Sequence, residues 1–227
     1  MRIHLVRHGE SEGNVKLHDY SIAGDHQVKL TARGIEQAQA AGQWLSKALS
    51  QCYTGRTLLY RSPYHRTRQT LNAMLNAANI HFDNDEQAPP IYEDPRLREV
   101  EHGYGQDVDD QDDLHKVHGF FYYRYRNGES PADCYDRMCT FTDSMHRQVA
   151  RKGAEDVVIV SHGLTIRCFV MRFLKLSPEQ FDSMANPKNC AIITIDLKEN
   201  LIDPVFTNGR WGVTGLQLRE PAVVEVV

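Results

Sequence analysis

The chain has 227 residues, enough for one large α/β core, and its 41% hydrophobic and 25% charged residues are ordinary for a soluble globular protein. A formal net charge of −4 excludes the basic footprint of a nucleic-acid binder, so an anionic substrate needs a local basic pocket. No apolar run nears the ~18 residues of a membrane-spanning helix, and Met1 leads straight into a strand with no charged and apolar leader.

Strands and helices alternate along the chain. Ile3–Val6 is the first strand, and Leu30-Thr31 opens a helix with Ile35, Ala38, Leu45 and Leu49 at near-helical spacing. Thr57–Tyr60 is a second strand. Ser62-Pro63 reads as an N-cap and first-turn proline for a helix that carries Leu71, Leu75 and Ala78 on one face. A polar loop at 83–90 precedes a short strand at Ile91-Tyr92. The segment at about 100–128, rich in Tyr, His, Gly and Asp, reads as an insertion or lid. Ser130-Pro131-Ala132-Asp133 starts a long helix whose inner face is Tyr135, Met138, Thr142, Met145 and Val149. Val157–Val160 has the β-branched run of a buried parallel strand. Ile166, Phe169, Val170 and Phe173 mark the next helix, Ser177-Pro178-Glu179-Gln180 caps another, and Ala191–Ile195 is a late strand. No repeat or linker divides the chain, so residues 1–227 are expected to form a single domain. The alternation predicts a three-layer α/β/α sandwich with a mostly parallel central sheet.

Two strands run into His-Gly pairs: Arg7-His8-Gly9-Glu10 after the first, and Ser161-His162-Gly163 after the Val157–Val160 strand. In open α/β sheets the carboxyl ends of strands are where ligands bind. A guanidinium beside an imidazole suits an anion, because Arg clamps oxygens bidentately while His attacks or moves a proton.

Arg7-His8-Gly9-Glu10-Ser11-x-x-Asn14 resembles the signature of the histidine phosphatase superfamily, with its phosphoglycerate-mutase-like fold. Leu30-Thr31-x-x-Gly34-x-x-Gln37-Ala38, Ser62-Pro63-x-x-Arg66-x-x-Gln69-Thr70, Leu97-x-Glu99, Gly128-Glu129-Ser130 and Val160-Ser161-His162-Gly163 resemble its later motifs, in the family's order, up to about residue 195. The resemblance implies a nucleophilic His8 that forms a phosphohistidine, later hydrolysed by water. It implies that Arg7 and Arg66 grip the phosphoryl oxygens, with His162, Asn14 and Gly163 also binding phosphate and His162 acting best as a cation. No metal and no cofactor is implied. Glu99 is the expected general acid, held protonated by burial beside the phosphate. Glu101 is its rival, since two residues along an extended segment point the same way; the Leu-x-Glu match favours Glu99.

The chain departs from true phosphoglycerate mutases. Gly13 stands where they place tryptophan, and Val100-Glu101-His102-Gly103 replaces their Arg-His-Tyr-Gly run after the acid. The segments at 93–99 and 123–135 look more like a plant and fungal branch of phosphoglycerate-mutase-like phosphatases, which includes broad acid phosphatases. The expected function is phosphomonoester hydrolysis on a small phosphorylated metabolite, in the cytoplasm. The alternatives are a mutase and a non-catalytic phosphate-binding or interaction module.

Three further features read as structural. Asp107–Asp113 fails the calcium-loop pattern, because Asp112 and His118 stand where glycine and glutamate belong. His115 and His118 lack a third metal ligand. The five cysteines are scattered and read as buried hydrophobes of a reducing compartment. Tyr122-Tyr123-Arg124-Tyr125-Arg126 reads equally as a grip on the leaving group or as a packed lid edge.

Overall fold

A computed structural model describes residues 1–20, 22–49, 56–78, 90–103, 114–115 and 117–219. The expected acidic loop at 107–113, most of the loop at 83–90, Cys52 and the apolar tail at 222–227 lie outside the described residues.

Seven strands form one sheet: β1 (Arg2–Arg7), β2 (Thr57–Arg61), β3 (Ile91–Glu93), β4 (Asp156–Ser161), β5 (Ile192–Leu197), β6 (Phe206–Asn208) and β7 (Trp211–Thr214). Their spatial order is β3-β2-β4-β1-β5-β7-β6. The first four are mutually parallel. β5 runs antiparallel to β1, and β7 and β6 continue antiparallel beyond it. The result is a mixed sheet with a parallel core. The chain past Ile195 thus extends the sheet by a hairpin.

Alternation along the strands builds two cores. On one face Val6, Leu59, Val158 and Val160 pack with Ala38, Ala41 and Leu45 of α1 (Ala32–Leu49) and with Leu71, Met74 and Leu75 of α2 (His65–Ala77). On the other, Ile3, Leu5, Leu58, Val157, Ile159, Ile193 and Ile195 pack with three helices. These are α3 (Pro131–Lys152), α4 (Gly163–Leu174) and α5 (Pro178–Ser183). Central β4 is buried along its whole length, as its β-branched run requires.

The caps are local. Ser130 and Asp133 close a capping box at α3, Ser177 and Gln180 another at α5, and Gly153 ends α3 in the left-handed conformation. Thr31 caps α1 by accepting the Gly34 N–H at 3.0 Å. Two expectations need correcting. Ile35 is 38% exposed, because the inward stripe of α1 runs through Ala38, Ala41 and Leu45. Ser62 does not cap α2, which begins at His65 with Tyr64 at the N-cap and no side-chain cap. Ser62 is buried and makes a different contact, described below. Among the described residues no helix is long and apolar enough to cross a membrane.

Helices α1 and α2 meet where Gly42 removes a side chain. A Cβ there would stand 2.1 Å from the Met74 carbonyl oxygen. Backbone cannot yield as a side-chain tip can, so Gly42→Ala should cost about 1–3 kcal/mol by urea denaturation. An unchanged midpoint and slope would show that the two helices separate freely.

Candidate active site

In the parallel register Arg7 of β1 lies opposite Ser161 of β4. The next residues, His8 and His162, therefore leave neighbouring strands together at their carboxyl ends. Their rings lie 5.2 Å apart at 61°, and the His8 N–H donates to the Ser161 carbonyl at 3.0 Å.

His8 is 4% exposed. Its Nδ1 lies 2.8 Å from the Gly9 carbonyl oxygen. A carbonyl only accepts, so Nδ1 carries the proton and Nε2 keeps a lone pair. Burial, then the charges of Arg66 and Arg7, hold the imidazole well below its ordinary pKa of 6.5, despite the Gly9 bond. The ring is neutral, as a nucleophile must be. The loop is anchored by the Gly9 N–H donating to Thr70 Oγ1 at 3.0 Å. It packs on α1 because Gly34 lets the Glu10 carbonyl approach to 2.0 Å of where a Cβ would sit.

Two arginines supply positive charge. Arg7 donates to the Pro187 carbonyl at 2.6 Å, and its buried Nε has no hydrogen-bond partner. Burial lowers its pKa from the ordinary arginine value, opposed by Glu99 and assisted by Arg66. Arg66 is 5% exposed. Asp25 holds it through both carboxylate oxygens, at 2.9 and 3.0 Å, and through its backbone carbonyl at 2.8 Å. The guanidinium also lies 5.0 Å over the Tyr64 ring. Asn14 is exposed. Its Oδ1 accepts from the Ser11 N–H, the Ser11 hydroxyl and Asn189 Nδ2, each at 3.1 Å, which orients its own Nδ2 as a donor.

His162 is fully buried. Its Nε2 meets Ser62 Oγ at 2.8 Å, and Nδ1 has no hydrogen-bond partner. Burial and then Arg66, His8 and Arg7 push its pKa well below 6.5. The expectation of a cationic His162 therefore gives way: its environment holds it neutral. Gly163, the first residue of α4, makes room for Asn186, whose Oδ1 would stand 2.3 Å from a Cβ there.

Glu99 reaches the open N-terminus of α4, where His162 occupies the cap position without a side-chain cap. Glu99 Oε1 accepts from the Thr165 N–H at 3.2 Å and the Val100 N–H at 3.0 Å, and Oε2 from the Leu164 N–H at 3.4 Å. Glu101 is placed differently: its carbonyl accepts from the Glu129 N–H at 2.8 Å. The Glu99 segment is fixed from two sides. Ser161 Oγ donates to the Leu97 carbonyl at 2.8 Å. Arg137 of α3 donates to the carbonyls of Arg96, Arg98 and Glu99, and is held in turn by Glu129.

The structure thus gathers Arg7, His8, Arg66, Glu99 and His162 into one cluster, with Asn14 linked to it through Asn189. Sequence reasoning missed Asp25, Arg137 and Asn189, and read Ser62 first as a helix cap; the structure instead turns its hydroxyl to His162. In the expected lid, Tyr125 is buried against His102 at 4.5 Å between ring centres, while Tyr122 is 65% exposed. His115 and His118 pack against Phe120 and Tyr123. Among the described residues no cluster of His, Cys, Asp and Glu is arranged to hold a metal ion.

The family model "Histidine phosphatase superfamily (branch 1)" matches residues 3–208. The chain is 37% identical over 209 residues to the phosphoglycerate mutase-like protein AT74 of Arabidopsis thaliana, a match covering 86% of this chain. It spans 65% of that relative's length. It is 24% identical over 285 residues to the broad-range acid phosphatase DET1 of Saccharomyces cerevisiae, covering 87% of this chain and 85% of the relative. Among solved structures, a mycobacterial glucosyl-3-phosphoglycerate phosphatase complexed with VO3 superposes with a TM-score of 0.69 at 20% identity, covering 93% of this chain and 96% of that one.

The two site imidazoles should stay neutral as pH falls below 6.5, with His8 as its Nδ1–H tautomer, in nitrogen-15 spectra of histidine-labelled protein. The unfolded chain takes up those protons near pH 6.5 and the folded chain does not. Folding stability therefore falls with acidification below that point, by up to about 1.4 kcal/mol per pH unit for each ring. A His8 ring that titrates at its ordinary value would contradict the assignment.

Proposed function

The chain belongs to the histidine phosphatase superfamily, and from that premise we propose that it is a metal-independent phosphomonoester hydrolase acting through a phosphohistidine on His8. The single observation that carries the reading is the Nδ1 bond of His8 to the Gly9 carbonyl at 2.8 Å, which leaves an unprotonated Nε2 amid Arg7, Arg66 and His162. Nε2 attacks phosphorus in line, the P–N bond forms, and the P–O bond to the leaving group breaks with its electron pair on oxygen. Water then attacks the phosphohistidine, and inorganic phosphate leaves as the ring regains its lone pair.

Charge develops on the three equatorial oxygens, where fixed donors act most strongly. Asp25 engages three of the five N–H groups of Arg66, so two remain for the phosphoryl group. Arg7, the Asn14 amide and His162 complete the cradle. Glu99 protonates the leaving oxygen and later takes a proton from water.

The family members named as phosphatases, DET1 and the mycobacterial enzyme, favour release to water. Gly13, standing where the mutases place tryptophan, also departs from the mutase pattern. The substrate is a small phosphorylated metabolite. The chain is read as one domain; residues 104–113 and 116 of the segment expected as a lid lie outside the described residues. Cys134, Cys139, Cys168 and Cys190 are free thiols, which suits a reducing compartment such as the cytoplasm.

Phosphate release from a panel of phosphomonoesters should survive a metal chelator and fall at least about 10³-fold in His8→Ala. Transfer to an added acceptor alcohol with no free phosphate would make the chain a mutase, and no turnover of any ester would make it a binding module. Glu99→Gln should slow alkyl phosphates by about 10²–10⁴-fold and activated aryl phosphates far less. Equal losses on both would remove Glu99 from the acid role.

A further inference from the structure

A second hollow lies at the other end of the sheet. It has a volume of about 650 Å³ and is walled by α3, the end of α4 and the β6–β7 hairpin, with Met1 at its edge. Met1 precedes β1 and His8 follows it, so the two sites are roughly 20 Å apart at the rise of a strand. The volume lies within the range of small-molecule sites.

Its lining is unlike the rest of an acidic chain. Arg172, Lys175 and Arg210 all face it, against the single carboxylate of Asp143 among the lining residues. None of the three cations makes an ion pair with the described residues, although most other arginines of the fold have carboxylate partners. The Arg172 Nε is buried without a hydrogen-bond partner. So is the hydroxyl of Thr142, a residue only 4% exposed on the α3 wall. Native interiors rarely leave such groups unpaired, and each exception asks for a reason.

The hollow also presents rings. Phe173 and Trp211 meet edge to face with centres 5.4 Å apart, and Arg210 lies 5.1 Å over the Trp211 ring. Asn208 of the hairpin donates to the Leu174 carbonyl at 2.6 Å, which ties the hairpin wall to α4 and keeps the hollow formed.

We propose that this hollow is a second ligand site, for a small molecule that joins a phosphate- or carboxylate-type anion to a planar ring. The anion meets Arg172, Lys175 and the Thr142 hydroxyl. The ring lies against Phe173 and Trp211.

Trp211 is one of two tryptophans, and the other, Trp44, packs on His4 on the α1 side. A Trp44→Phe chain therefore reports on the hollow by fluorescence. The probe is phenylphosphonate, which carries no ester to hydrolyse. It should give a saturable change in Trp211 emission, with inorganic phosphate binding at least about tenfold more weakly. The double variant Arg172→Gln/Lys175→Gln should weaken phenylphosphonate at least about tenfold while phosphate release from phosphomonoesters is unchanged. Arg172→Lys, which keeps the charge, should retain most of the binding. No saturable change, or undiminished binding in the double variant, would overturn the proposal; equal binding of inorganic phosphate would overturn its aromatic half.

Discussion

The parallel pairing of β1 with β4 is the constraint on which the site depends. Because Arg7 sits opposite Ser161, both strands end at one level and each delivers a histidine into the same cleft. Strand register is fixed by the alternation that buries Val6, Val158 and Val160 on one face and Leu5, Val157 and Ile159 on the other. A slip of one residue would reverse every one of these side chains. The catalytic geometry is thus enforced by the hydrophobic core, not by the polar groups that line the pocket.

Within that frame the chemistry is electrostatic. Two guanidinium groups and two imidazoles share a largely buried pocket, and like charges in low dielectric repel strongly. The fold resolves this by keeping both imidazoles neutral and by giving each arginine oxygen partners: Asp25 for Arg66, the Pro187 carbonyl for Arg7. What remains is a pocket whose unspent N–H groups call for an anion. Glu99 is tied into the same site, since its carboxyl oxygens accept from the Leu164 and Thr165 N–H groups at the start of α4.

Much of this was legible in the sequence because it is local. The two strand-His-Gly units, the Ser130 and Ser177 capping boxes and the β-branched run of β4 each state their structure within a few residues. Ser62-Pro63 misled because the same dipeptide that often opens a helix here turns its hydroxyl to His162, a hundred residues away. The direction of β5 was illegible for another reason: a buried β-branched run reads alike in parallel and antiparallel pairing. Asp25, Arg137 and Asn189 left no signal at all. Asp25 pairs with Arg66 at a separation of 41 residues, Arg137 grips carbonyl oxygens, and any residue type carries a carbonyl.

The two ends of the sheet share an element. Helix α4 begins beside Glu99 and ends near Arg172, with Thr165 and Arg172 two turns apart on one rigid rod. A shared rod is not by itself a signal path. Coupling needs an element with two arrangements that both sites bias, and α4 is buried along nearly its whole length, packed against α3 and the sheet. Such packing resists small displacements. It favours independent filling of the cleft at the carboxyl ends of β1 and β4 and of the hollow proposed at the amino end of β1. The hollow lies a strand's length from His8, roughly 20 Å at the rise of a strand, so a ligand held by Arg172 and Lys175 is beyond the reach of that nucleophile.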